Sequence, residues 1–212
     1  MFIKLDKVAK NACLGIIISM LLILNCSSDL DEAVDVINLS NTAGRSERPA
    51  IAADSRGYFY VVWDNAIISG IRLYIASRSP DGEWSKPVQP FAVNVGKFAD
   101  IAVDNSDDIY LVWQNTNSEG WMEILYSKKP GGSNWTTPDT ISLYGLSCSP
   151  HLAIDNTNSV HLVWGELKGA IPLYYIKKTS GGAWSMPVEL SKEESYYRYG
   201  AEIAVDPQGY AH

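Results

Sequence analysis

Along the chain after residue 50, apolar positions recur with a period of two, and no helical stripe follows residue 25. Val61 and Trp63, Leu111 and Trp113, and Leu162 and Trp164 point one way. Tyr60 and Val62, Tyr110 and Val112, and His161 and Val163 point the other. Both faces of each segment are largely apolar, which predicts a strand buried on both sides, as in small sheets stacked face to face.

The pattern repeats. Ile51-Ala52-Ala53-Asp54, Ile101-Ala102-Val103-Asp104, Leu152-Ala153-Ile154-Asp155 and Ile203-Ala204-Val205-Asp206 recur at spacings of 50, 51 and 51 residues. The first three each lead into a run ending in Trp63, Trp113 or Trp164, then close on a second Trp in a Trp-Ser/Thr-x-Pro signature at Trp84, Trp135 and Trp184. Three residues after each Asp stand Gly57, Asp107, Asn158 and Gly209, residue types that tolerate positive φ and predict one shared tight turn. A second turn is predicted at Pro80-Asp81-Gly82, Pro130-Gly131-Gly132 and Ser180-Gly181-Gly182.

Each unit is therefore expected to be four short antiparallel strands, in the first copy at about 49–54, 58–63, 71–77 and 84–89. Four-stranded units repeated about every 50 residues predict an all-β chain of the β-propeller class. Blades are expected at about 48–90, 98–142 and 149–191, with a partial fourth at 200–212. Val36-Ile37-Asn38-Leu39-Ser40 resembles the fourth strand of the third unit, Pro187-Val188-Glu189-Leu190-Ser191, and is expected to act as a closing strand. On this reading the chain is a C-terminally truncated part of a larger ring, because such units need neighbours on both sides.

The first 25 residues read as a signal peptide, with Lys4, Lys7 and Lys10 ahead of 13 apolar residues from Ala12 to Leu24. Ile23-Leu24-Asn25-Cys26 resembles the lipobox of bacterial lipoproteins, departing from it at Asn25, where a small residue is usual. The resemblance implies acylation of Cys26, a tether over 26–35 and membrane attachment through lipid. It also implies an exported cell-envelope protein, with the outer membrane or cell surface favoured over the inner membrane. Seventeen basic against 24 acidic residues, net charge −7, argue against a nucleic-acid partner. Cys148 has no disulfide partner once Cys26 is modified and Cys13 removed with the signal. His151, His161 and His212 show no metal-ligand spacing, and no cofactor is implied.

Ser79-Pro80-Asp81-Gly82-Glu83-Trp84 resembles the Asp-box turn of bacterial neuraminidase (sialidase-like) propeller repeats, one residue short and lacking its Thr. The resemblance spans about residues 36–212 and implies the propeller fold. It places Asp81 and Gly82 in a structural rim turn, with Asp81 accepting backbone N–H bonds, and the six repeated Trp in the core between blades. In such propellers the ligand face carries the fourth-to-first-strand connections and the second-to-third-strand loops.

A catalytic sialidase would need an arginine cluster on a carboxylate, a Tyr nucleophile and an acid/base Asp. No such set is assembled by these residues. Arg48, Arg72 and Arg198 are expected on the ligand face, and Arg56 and Arg78 on the opposite one. Trp121 breaks the repeat register at the end of the loop Gln114 to Gly120, and Tyr196-Tyr197-Arg198-Tyr199 lies in a connection on the same face. Aromatics beside Gln114, Arg48 and Arg198 suit a glycan or protein ligand. Asp64, Gln114 and Glu166, which follow the second strands, are expected to be solvated loop residues. The chain thus reads as a recognition scaffold, with a sialidase-type glycoside hydrolase or a structural envelope protein as alternatives.

Overall fold

A computed structural model describes residues 2–3, 37–42, 44–91, 96–142, 145–167, 172–191 and 201–212. The chain divides into two compact units, Met1–Asn41 and Thr42–His212. In the first unit, strand β1 (Phe2–Ile3) pairs antiparallel with β2 (Ile37–Asn38), and the Ser40 hydroxyl donates to Asn38 Oδ1 at 2.9 Å. The signal segment, Cys26 and the tether lie outside the described residues.

The second unit is all-β among the described residues. Its first sheet orders β3 (Arg45–Ala53), β4 (Phe59–Ile67) and β5 (Gly70–Arg78). The second orders β6 (Gly96–Val103), β7 (Ile109–Thr116), β8 (Met122–Lys129) and β9 (Asp139–Thr140). The third orders β10 (Ser147–Ile154), β11 (Val160–Glu166), β12 (Leu173–Lys178) and β13 (Val188–Glu189). All pairings within these three sheets are antiparallel and join sequential strands. The first sheet has its fourth-strand equivalent too, as mutual Ile75–Val88 backbone bonds of 2.9 and 3.0 Å. These fourth strands are short and begin just after Pro87, Pro138 and Pro187, which cannot donate to a ladder.

The first strands adjoin in sequence, β3 against β6 and β6 against β10, while the faces of successive sheets stack. Second strands therefore lie between neighbours. Trp63, Trp113 and Trp164 are fully buried, and β11 is buried along its whole length. One core gathers Val62, Leu73, Leu111 and Trp113, with Phe91 stacked 4.6 Å from Trp113; the other gathers Val112, Ile124, Leu162 and Trp164. The second set of Trp is only half-buried: Trp135 packs edge-on to Phe91, and Trp184 edge-on to Tyr126.

The first-to-second-strand turns are built alike. Gly57, Asp107, Asn158 and Gly209 all have positive φ, between 60° and 87°. In each turn one oxygen of the preceding Asp accepts backbone N–H groups two and four residues on: Arg56 and Tyr58 for Asp54, Ser106 and Asp108 for Asp104, Thr157 and Ser159 for Asp155, Gln208 and Tyr210 for Asp206. The other oxygen holds the side chain six residues on, namely Tyr60, Tyr110, His161 or His212. Turns also bond across sheets: Ser55 donates twice to Asp107, and Asn105 N–H donates to Asn158 Oδ1. The Pro80–Gly82 turn is closed by Ser79, whose hydroxyl accepts Glu83 N–H at 3.2 Å and whose carbonyl accepts Gly82 N–H at 2.9 Å.

Burial opposes ionisation of Asp155, but hydrogen bonds from Thr157, His161, Ser159 and Lys177 outweigh it and hold the carboxyl well below the usual range. Its contribution is thus present above the unfolded pKa near 3.8 and lost as pH falls toward the folded value. Replacing Asp155 by Ala strands several buried donors and is expected to cost about 2–4 kcal/mol at pH 7. The deficit relative to wild type should shrink in acid, measured by urea unfolding at pH 7 and pH 3.

Candidate ligand site at the bulged ends of the sheets

Opposite the Asp turns, each first strand carries a bulge at the same place. The β3–β4 register slips between Glu47 and Ala50, β6–β7 between Lys97 and Asp100, and β10–β11 between Cys148 and His151. The bulged residues Arg48, Phe98 and Ser149 have φ of 49°, 52° and 49°. Three non-glycine residues in this region mark a conformation that the surrounding structure must impose. The bulges also lengthen the strands beyond the sequence expectation, so β3 starts at Arg45 and β4 runs to Ile67.

Side chains from adjacent sheets meet there. Arg48 Nη1 pairs with Asp64 Oδ2 at 3.0 Å and Glu47 Oε2 at 3.2 Å, and its guanidinium lies 4.4 Å from the Phe98 ring centroid. Phe98 N–H donates to the same Asp64 oxygen at 3.1 Å, so this carboxylate joins the first sheet to the second. Asp100 does the same one sheet on, accepting Leu152 N–H at 3.0 Å beside His151 Nδ1 at 3.4 Å. Glu166 Oε1 accepts from the Ser147 hydroxyl at 2.7 Å and Trp164 Nε1 at 2.9 Å.

Asp64, Gln114 and Glu166 are therefore not solvated loop residues: each is within 1% of complete burial. The reason is strand length, since β4, β7 and β11 continue past their Trp and keep these positions within buried strand. Gln114, expected to face ligand, is a buried β7 residue opposite Lys97 and Ile124, which removes it from the surface. Asp64 Oδ1, Gln114 Oε1 and Glu166 Oε2 have no hydrogen-bond partner among the described residues. Burial pushes the Asp64 carboxyl up to about 6, against the opposing pull of Phe98 N–H and Arg48. Cys148 is buried, and burial pushes its thiol up, away from nucleophile chemistry.

Trp121 occupies the same end of the second sheet. Asn117 Oδ1 accepts N–H groups of Glu119 and Trp121, both at 3.0 Å, and its amide donates to Glu123 at 2.7 Å. This tight turn, with Gly120 at φ 85°, leaves Trp121 48% exposed. One side of the indole rests on Gly145, where an added Cβ would fall 2.9 Å from the ring. Arg72 lies in β5 opposite Asn65. Tyr196, Tyr197, Arg198 and Tyr199 lie outside the described residues. Among the described residues no group of three His, Cys, Asp or Glu converges as a metal site. The bulges were missed by sequence reasoning. Their only trace is that Arg48, Phe98 and Ser149 share one repeat position, three residues before Ile51, Ile101 and Leu152.

No family model matches the chain, and no curated protein matches it by sequence. Among solved structures it is similar to a Hadza microbial sialidase (TM-score 0.52, 10% identity, 66% of this chain and 36% of that one). It is also similar to a GH62 hydrolase in complex with xylotriose (0.50, 16%, 81% and 65%). The catalytic domain of the Coprinopsis cinerea GH62 α-L-arabinofuranosidase is a third (0.50, 16%, 78% and 62%). The chain spans less than two thirds of each. At these identities the likeness concerns the fold, that of propeller glycosidases.

The raised Asp64 carboxyl makes a pH prediction. With a folded value of about 6 against 3.8 unfolded, ionisation of Asp64 opposes folding at neutral pH, and the penalty is relieved as pH falls from 7 toward 4. Wild type should gain about 1–3 kcal/mol relative to Asp64→Asn over that range, read from paired denaturation curves.

Proposed function

We propose that this chain belongs to an exported, lipid-anchored β-propeller that recognises a glycan at the bulged ends of its sheets. The observation that carries the reading is Trp121, a half-exposed indole held rigid by the Asn117 turn and the Gly145 backbone. A fixed flat apolar face loses little entropy on stacking with a sugar ring. Arg48, 37% exposed at its side chain and pre-oriented by Asp64, Glu47 and Phe98, offers donors at the same end of the adjoining sheet. The oxygens of Asp64, Gln114 and Glu166 that lack a partner among the described residues support a functional end as well, because apolar residues of similar shape would be cheaper to bury. Xylotriose in a GH62 neighbour is consistent with an oligosaccharide as the ligand class.

Recognition is favoured over hydrolysis because Asp64 and Asp100 are both engaged in bonds that join sheets. A glycosidase needs two carboxyls free to act on the scissile bond. The envelope address, the closing strand at 36–40 and a ring of more blades than three are part of the same proposal and rest on the sequence pattern.

Titration with xylotriose and with sialyllactose tests the binding claim. Trp121→Ala is expected to weaken the bound sugar by tenfold or more, consistent with stacking contributions of about 1–2 kcal/mol; unchanged affinity removes the site. Metabolic labelling with a fatty acid should be abolished by Cys26→Ser, and persistent labelling would contradict the lipid anchor.

A further inference from the structure

A cavity lies between the second and third sheets, toward the Asp-turn end and away from Trp121. Its volume is about 480 Å³, within the range of small-ligand sites, and Tyr126, Asp139, Thr137, Lys178 and Ser180 line it. The equivalent groove between the first and second sheets measures only about 110 Å³. Its lining is largely apolar, with Ile75, Val88 and Trp135.

The strand registers show how one repeat differs from the other. Ile75 pairs with Val62 and bridges to Val88, while Tyr126 pairs with Val112 and Asp139. Tyr126 and Asp139 therefore stand where the first copy has Ile75 and Val88. The third copy has Tyr175 and Val188 at the same positions, so the phenol recurs while the carboxylate of Asp139 sets the second copy apart.

Two donors in the cavity lack acceptors. Tyr126 is 3% exposed, yet no hydrogen bond engages its hydroxyl among the described residues, and burial pushes the phenol up, which keeps the O–H as a donor. Lys178 forms no ion pair among the described residues; its ammonium lies 5.4 Å from the Tyr126 ring centroid and 5.5 Å from that of Trp184. Lys128, by contrast, is neutralised by Asp108 at 2.7 Å. The Tyr126 ring is buried while its O–H opens into the cavity, and the half-buried Lys178 ammonium stands beside the same ring, so the two offer a pair of donors to an anionic acceptor. Asp139, Thr137 and Ser180 add groups that pair with hydroxyls.

We propose that this inter-sheet cavity binds the carboxylate end of an acidic saccharide, through Lys178 and Tyr126, at a site separate from the Trp121 face. D-Glucuronate and D-glucose, titrated into the full chain by isothermal calorimetry, serve as probes. Glucuronate is expected to bind and glucose to bind at least tenfold more weakly. Tyr126→Phe, which removes one oxygen, and Lys178→Met should each weaken glucuronate about tenfold with thermal unfolding of Tyr126→Phe unchanged within a few degrees. Absence of glucuronate binding, equal binding of glucose, or indifference to both substitutions would overturn the proposal. Loss on Trp121→Ala without loss on Tyr126→Phe would assign the sugar to the other site and overturn it too.

Discussion

The structure depends on burying the second strand of every repeat on both faces. A strand such as Val160–Glu166 cannot be covered by its own sheet, so it demands a neighbouring sheet on each side, and that demand repeats every 50 or 51 residues. Trp63, Trp113 and Trp164 are the largest side chains in those strands and lose all contact with solvent. Because each sheet is small, the stacking of sheet on sheet supplies most of the apolar burial, at about 25 cal/mol per Å².

Close stacking leaves polar backbone at the strand ends to be satisfied, and the two ends solve this differently. At the turn end an Asp in each repeat collects two backbone N–H groups and one side chain, and turns bond to the turns of the next sheet. At the other end the bulged Phe98, and Leu152 just beyond a bulge on an edge strand, give their N–H groups to Asp64 and Asp100 of the preceding sheet. The Asp turns themselves are thus nearly self-contained. The bulged end keeps a strained backbone, a carboxyl shifted to about 6 and, among the described residues, acceptors without donors, which gives a ligand something to satisfy there.

Much of the architecture was legible because it is repeated. The Trp positions, the period-two runs and Gly57, Asp107, Asn158 and Gly209 are local signals that four or three copies reinforce. What lay hidden depends on contacts between copies. Asp107 and Asn158 tolerate positive φ, as their type predicts, but their side chains also bond the turn of the preceding repeat, which no single copy reveals. The bulges at Arg48, Phe98 and Ser149 share no residue type, so nothing in composition marked them. Missing them placed Asp64, Gln114 and Glu166 in solvent when strand continuation buries them. Trp121 was legible for the opposite reason: it departs from the repeat, and a large aromatic outside the core pattern has to be accounted for at the surface.

The central claim, that the bulged end receives a sugar on Trp121, is tested most directly by following the tryptophan indole N–H resonances of the labelled protein during an oligosaccharide titration. The account predicts that the Trp121 signal moves in a saturable way while those of buried Trp63, Trp113 and Trp164 stay in place. A titration in which sugar binds and the Trp121 signal does not move would contradict it.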